Sequence, residues 1–188
     1  MDADGAQRPR RRGGVVSETA RHPVIGWVTW LAFLATIPFA NWWLKTYGFW
    51  DAPILGPLPS ALWVVAISFV LRDIAQLALG RTLAWIAIAI GVALSAGLAS
   101  PGLALASGAA FFISESTDAA IFTPLANKGR FLLGVTISGY AAGFIDSAVF
   151  LRVAFKSWDG WWQLGVAKAV VVLAATPVAW AVRRWWLR

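Results

Sequence analysis

The sequence contains no cysteine, a single histidine, and few charged residues, which make up 13% of its 188 residues. Without cysteine there can be no disulfide framework, no thiolate metal site and no cysteine nucleophile. The one histidine, His22, lies in a polar N-terminal stretch, which argues against a histidine-built zinc site and a serine–histidine triad. We expect no metal ion and no organic cofactor, and no catalytic residue is assigned.

Apolar residues make up 59% of the chain before glycine is counted, whereas soluble domains have roughly 45–50% with glycine included. This composition excludes an ordinary soluble domain, a disordered chain and a secreted disulfide scaffold. The net charge of +7 would suit nucleic acid. However, the basic residues lie where membrane proteins carry them, so the lipid bilayer is the expected partner and nucleic acid is not.

Six apolar runs are long enough to cross a bilayer, which takes about 20 helical residues at a rise of 1.5 Å each. The alternation typical of transmembrane β-strands is absent. The sequence therefore predicts an all-α polytopic membrane protein with six transmembrane helices. These are residues 24–44, 60–79, 83–99, 102–125, 131–155 and 161–182.

Proline and glycine lie near the predicted helix ends. The longest connection contains Asp51-Ala-Pro53 and Gly56-Pro-Leu-Pro59, between the first two helices. Pro38 lies inside the first helix and has two interpretations. It either kinks that helix or ends it early, in which case Asn41 would lie at the membrane interface.

Basic residues are distributed unevenly between the two sides of the predicted bundle. With the N-terminus inside, eleven lie on the inner side, whereas only Lys45 and Lys156 lie on the outer side. Because cytoplasmic loops carry the excess of Lys and Arg, both termini are predicted to be cytoplasmic. The eleven inner residues are Arg8, Arg10, Arg11, Arg12, Arg21, Arg81, Lys128, Arg130, Arg183, Arg184 and Arg188.

Seven ionisable residues nevertheless lie within the predicted helices: Arg72, Asp73, Glu115, Asp118, Asp146, Arg152 and Lys168. A charge at a helix centre costs roughly 2.5–3.5 kcal/mol on insertion scales, and such residues usually face a partner or a water-filled cavity. Two interpretations remain open: ion pairs that fix the helix register, or a polar cavity for a substrate or ions. Arg152 lies nearer the outer interface and is interpreted as structural.

Counting residues from the helix ends places the other six groups near the bilayer midplane, where secondary transporters bind substrate. Glu115 and Asp118 are three residues apart and so share a helix face. Asp146 and Lys168 lie at similar depths on consecutive antiparallel helices, so we expect them to form an ion pair. A carboxylate can accept hydrogen bonds from two adjacent N–H donors of a ligand. Glu115 or Asp118 is the candidate for this role.

Three runs resemble the vitamin uptake transporter (VUT) family, which includes bacterial queuosine precursor transporters. They are Ser68–Gln76, Ser114–Leu125 and Ile145–Phe155, and the shorter Phe39–Trp42 and Leu164–Lys168 also resemble that family. The resemblance implies a six-helix transporter for deazaguanine-type precursors with no ATPase motif of its own. The positions that match the family's polar residues, the candidate substrate-binding residues, are Asn41, Arg72, Asp73, Gln76, Glu115, Asp118, Asp146 and Lys168.

On this interpretation residues 1–23 are a disordered basic tail in the cytoplasm, 24–184 the transporter domain and 185–188 a cytoplasmic end. We expect a secondary-type transporter in the inner cell membrane that takes up a queuosine precursor or a related purine-like molecule. Gln76 or Asn41 would contact other substrate atoms, and Phe111 or Phe122 would stack on its ring. Proton coupling and a homodimer are left open.

Two other functions fit parts of the sequence. A membrane-embedded substrate-binding subunit of a larger uptake complex would have a similar size. An intramembrane aspartyl protease would use Asp118 and Asp146 as its carboxylate dyad. The run Gly143-Phe-Ile-Asp146 lacks the second glycine of the Gly-x-Gly-Asp motif of such enzymes, which makes the protease the weaker alternative.

Overall fold

The computed structural model describes residues 23–100 and 103–186, except for the side chain of Trp186. The predicted basic tail lies outside the described residues, apart from Pro23. The helices are α1 (Pro23–Tyr47), α2 (Leu62–Leu79), α3 (Arg81–Leu98), α4 (Ala104–Asn127), α5 (Phe131–Phe155) and α6 (Trp161–Trp186). Two short strands, β1 (Phe49–Ala52) and β2 (Gly56–Pro59), lie between α1 and α2.

The predicted six-helix membrane bundle is confirmed. All helices except α4 have both the length and the apolar composition of a membrane span. Helix α4 is 24 residues long, which is enough to cross the bilayer. Its mean hydropathy is lowered by the polar run Ser114-Glu-Ser-Thr-Asp118 at its centre. This run explains why α4, unlike the other five helices, falls short of that apolar composition.

Helix α1 continues through Pro38 to Tyr47, so the interpretation that Pro38 ends the helix early is wrong. A proline removes one backbone donor from a helix but does not break it when neighbouring groups satisfy the backbone. Asn41, one turn further on, donates from Nδ2 to the carbonyl oxygen of Ile37 at 3.0 Å. Asn41 therefore lies within the helix, not at its end.

The connection between α1 and α2 is a β-hairpin that the sequence did not predict. Its strands are antiparallel, with Phe49 opposite Pro59 and Ala52 opposite Gly56. Gly56 has φ +74°, a left-handed conformation that glycine adopts without a steric penalty. Leu58 of β2 is buried with Leu62 and Ala167. The hairpin therefore covers the start of α2 and the first turns of α6.

Helix α2 is the centre of the bundle. It contacts all five other helices, and two thirds of its membrane-spanning window is buried inside the protein. By contrast, only 22% of the window of α1 and of that of α3 is buried. Since no water is available in the bilayer core, the exposed apolar faces of α1 and α3 suit contact with lipid.

Two apolar clusters lie along α2. The first contains Val70, Ile74 and Ala78 of α2 together with Phe122, Phe131 and Ala179 from the facing helices. The second contains Ala66 and Phe69 of α2 with Ala142 and Val172. The charged side chains of α2, Arg72 and Asp73, lie between positions of these clusters and are fully buried.

Candidate functional site

Arg72 is the centre of a buried polar cluster that joins α2 and α4. Its guanidinium donates from Nε to Glu115 Oε2 at 3.2 Å, from Nη2 to Asp118 Oδ2, and from Nη1 to Gln76 Oε1 at 3.1 Å. Asp73 Oδ1 also lies 3.0 Å from Arg72 Nη1. We call these five residues (Arg72, Asp73, Gln76, Glu115 and Asp118) the Arg72 cluster.

Helix geometry explains why these side chains meet. Glu115 and Asp118 are three residues apart, so both project from one face of α4. Arg72 and Gln76 are four residues apart on α2 and share a face in the same way. The planar guanidinium has five N–H donors in a fixed arrangement, so one arginine can reach several acceptors on a facing helix.

The cluster is closed and its charges do not balance. Arg72, Asp73, Glu115 and Asp118 are each 0% exposed, and three carboxylates surround one guanidinium. Glu115 Oε1 and Asp118 Oδ1 are buried and have no hydrogen-bond partner in the described part of the chain. The cluster therefore offers more acceptor atoms than its own donors satisfy.

Two hydroxyl groups that the sequence did not single out complete the cluster. Ser138 of α5 donates to Asp73 Oδ2 at 3.5 Å. Thr123 of α4 accepts from Gln76 Nε2 at 2.9 Å and donates to the carbonyl oxygen of Ala119 at 2.6 Å. Thr123 lies within the run Ser114–Leu125 that resembles the VUT family, which was an available sequence signal, whereas Ser138 had no distinguishing pattern.

The aromatic residues proposed to stack on a substrate already have protein partners. The Arg72 guanidinium carbon lies 5.8 Å from the centre of the Phe122 ring, within cation–π range. Phe122 also packs edge-to-face on Phe131. Phe111 packs against Phe33 at a centroid distance of 6.0 Å.

The predicted pair between α5 and α6 is present. Lys168 Nζ donates to Asp146 Oδ2 at 2.5 Å and to Ser147 Oγ at 3.0 Å. The side chains of Lys168 and Asp146 are 8% and 17% exposed, so the pair is less enclosed than the Arg72 cluster. We call Asp146 and Lys168 the Lys168 pair.

The Lys168 pair and the Arg72 cluster lie next to each other. Ser114 of α4 donates to Asp146 Oδ1 at 3.4 Å, and the next residue along the chain, Glu115, belongs to the cluster. The predicted site residues on α2, α4, α5 and α6 are thus brought together. Asn41 is the exception, because its side-chain hydrogen bond stays within α1.

The charged contacts do not resemble a protease dyad. Asp118 is bonded to Arg72 and Asp146 to Lys168, so the two carboxylates contact different cations and not each other. Among the described residues, no group of three or more His, Cys, Asp or Glu side chains is arranged to hold a metal ion. The arrangement can bind a molecule that presents N–H donors, and its carboxylates can take up or release protons.

Part of the chain matches a known protein family. Residues 96–182 match a family model described as "Putative vitamin uptake transporter". The matched range contains the cluster residues of α4 and the Lys168 pair, but α1 and α2 lie outside it. No curated protein and no solved structure matches the chain.

Proposed function

We propose that the chain belongs to this transporter family, which the match and the sequence motifs support, and that it takes up a deazaguanine-type queuosine precursor or a related purine-like molecule. The substrate is held near the bilayer midplane by the Arg72 cluster, with the neighbouring Lys168 pair at its edge. The transporter is of the secondary type and lies in the inner cell membrane.

One observation carries this proposal: the free carboxylate oxygens Glu115 Oε1 and Asp118 Oδ1 inside a closed polar cluster. Buried polar atoms are nearly always hydrogen-bonded, so each exception needs an explanation. A guanine-like edge has adjacent N–H donors, which two carboxylate acceptors can receive. Such a ligand satisfies atoms that the protein leaves unpaired.

The test is uptake of labelled queuosine precursors into cells that cannot synthesise them. The variant Glu115→Gln keeps the shape of the side chain but replaces one acceptor with a donor. We expect it to abolish uptake while membrane insertion is retained. The matched control is Asp51→Asn, the same change at an exposed position of β1, which should leave uptake unchanged. Normal uptake by Glu115→Gln would exclude Glu115 from the site.

Protons are the proposed coupling ion. With all three carboxylates ionised, the Arg72 cluster has a formal charge of −2, and an uncompensated buried charge is costly. A neutral purine-like substrate does not compensate this charge, whereas protons carried with it do. In membrane vesicles, an imposed proton gradient should drive uptake and a sodium gradient should not. Uptake that follows sodium alone would contradict this coupling.

The orientation of the proposed transporter follows from its basic residues. Arg81, Lys128 and Arg183 all lie at the end of the bundle that also contains the start of α1. That end is cytoplasmic by the positive-inside rule. A reporter active only in the cytoplasm should work when fused after Arg188 and should fail when inserted at Asp51. The reverse pattern would overturn the orientation.

A further inference from the structure

A cleft of about 410 Å³ lies between α3 and α4 at the basic end of the bundle. Its lining includes Arg81 and Trp85 near the start of α3. From α4 it includes Ala119, Ala120, Thr123 and Asn127 near the end of that helix. The cleft therefore combines a guanidinium, an indole ring, an amide and a hydroxyl group at one opening.

A side-chain hydrogen bond connects the cleft to the Arg72 cluster. Thr123 lines the cleft and accepts a hydrogen bond from Gln76 Nε2 at 2.9 Å. On its other side, Gln76 Oε1 accepts from Arg72 Nη1 at 3.1 Å. Separation of Gln76 from Thr123 would remove the side-chain hydrogen bond between the cleft lining and the cluster.

We propose that this cleft is a second binding site for the transported molecule, on its path to the cytoplasm, and that the Gln76–Thr123 hydrogen bond is the gate between the two sites. The inference rests on the proposed function for the identity of the molecule. It does not depend on that function for the existence of the path.

The two sites have complementary chemistry. The Arg72 cluster has unpaired acceptor oxygens, which suit the N–H edge of a guanine-like ring. The cleft has the donors of Arg81 and Asn127, and an arginine can donate to the carbonyl oxygen of such a ring, which a deazaguanine retains. Trp85 is 42% exposed, so its indole is free to stack on a planar ligand.

The absence of cysteine makes the first test direct, because a single introduced cysteine is the only thiol in the chain. Ala120→Cys places a thiol on the exposed wall of the cleft. A charged, membrane-impermeant thiol reagent should label it in inside-out vesicles and should not label it in intact cells. No labelling from the inside, or labelling from the outside, would overturn the proposed path.

The matched control for this labelling is Ala109→Cys. Ala109 lines a second groove between α3 and α4, whose other lining residues include Val92, Leu105 and Phe112. A lipid-facing groove excludes a charged reagent, so we expect no labelling there. If Ala109→Cys were labelled as fast as Ala120→Cys, the proposed cleft would have no special access to water, and the inference would fail.

The gate is tested with the buried neighbour Ala119, which lines the cleft and is 3% exposed. In Ala119→Cys, the added change Thr123→Val removes the hydroxyl that accepts from Gln76. Labelling should become about fivefold faster, the factor that corresponds to one net hydrogen bond of about 1 kcal/mol. Thr117→Val is the control, since Thr117 donates to the carbonyl oxygen of Ile113 in its own helix and has no other side-chain hydrogen bond in the described part of the chain. Equal rates in the two variants would exclude the gate.

The ligand is tested by protection of Ala120→Cys with 7-deazaguanine and with the queuosine precursors used for uptake. A precursor that is taken up should slow labelling, and Arg81→Gln should reduce that protection. Uptake without any protection would exclude a second binding site. If none of these compounds is taken up while labelling and gating are as expected, the proposed substrate is wrong and the path to the cytoplasm is retained.

Discussion

The two buried charge groups of this protein differ in balance and in enclosure. The Lys168 pair has one cation and one carboxylate with 8% and 17% of their side chains exposed. The Arg72 cluster has one cation against three carboxylates, and all four residues are 0% exposed. The balanced pair is explained by a structural role, the positioning of α5 against α6. A structural role does not explain the unbalanced cluster, because each further buried carboxylate adds a desolvation cost.

The largest effect is expected from Arg72→Met, which leaves three buried carboxylates without their cation. Breaking one buried ion pair already costs about 3–5 kcal/mol, so we expect almost no folded protein. Arg72→Lys should rescue little, since a lysine ammonium cannot reach several acceptors in a planar arrangement. Folded yield in mild detergent, measured by size-exclusion chromatography, is the readout. The exposed Arg130→Gln should behave as the unaltered protein, and a stable Arg72→Met variant would refute the role of Arg72.

The next effect is expected at the Lys168 pair. Asp146→Asn and Lys168→Met each leave one buried charge unpaired and should lower thermal stability, by about 3–5 kcal/mol at most because the pair is partly exposed. The double variant removes both charges and should recover much of the loss. A double variant as unstable as the sum of the single changes would show that the two residues do not act as a pair.

The same double-variant design distinguishes the two groups. Arg72→Met combined with Asp118→Asn should not recover, because Asp73 and Glu115 would still lack a cation. Recovery to the same extent as at the Lys168 pair would mean that the two groups are equivalent, and the interpretation of the cluster as a binding site would lose its basis.

A smaller effect is expected where α5 and α6 approach closely. A Cβ added at Gly139 would lie 2.8 Å from Val172 Cγ1, closer than carbon atoms pack. Gly139→Ala should therefore cost about 1–3 kcal/mol by overpacking and should disturb the Lys168 pair more than the Arg72 cluster. Gly97→Ala in α3 is the control, because a Cβ there meets no atom within 4 Å. A melting temperature unchanged by Gly139→Ala would contradict the close approach.

The smallest effect is expected for Ser147→Ala, which removes the 3.0 Å hydrogen bond from Lys168 but keeps the ion pair. One such bond contributes about 1 kcal/mol. Ser138→Ala should have a weaker effect still, since the Ser138–Asp73 contact is longer, at 3.5 Å. Thermal melts of both variants rank the two contacts, and a larger loss for Ser138→Ala would reverse the ranking.

Asn41 and Asp146 show how far a sequence pattern reaches. Both lie in motifs that resemble one family, yet only Asp146 contacts another candidate residue, whereas Asn41 bonds within α1. Depth can be counted along a helix at 1.5 Å per residue, which is why the partner of Lys168 was predicted correctly. The direction in which the side chain of Asn41 points depends on how α1 is rotated against α2 and α3. That rotation cannot be obtained by counting residues along the helix.

The sequence by itself determined the six helices and the presence of charges within them, because the thickness of the bilayer sets the length of an apolar run. It also predicted the polar faces of α2 and α4, because residues three or four apart lie on one side of a helix. Only the tertiary structure decided which partners those faces meet: Arg72 with Glu115 and Asp118, Gln76 with Thr123, and a hairpin over α2 and α6. The physical reason is that partner choice follows from how each helix is rotated and packed, and those orientations are set by all of the helices together.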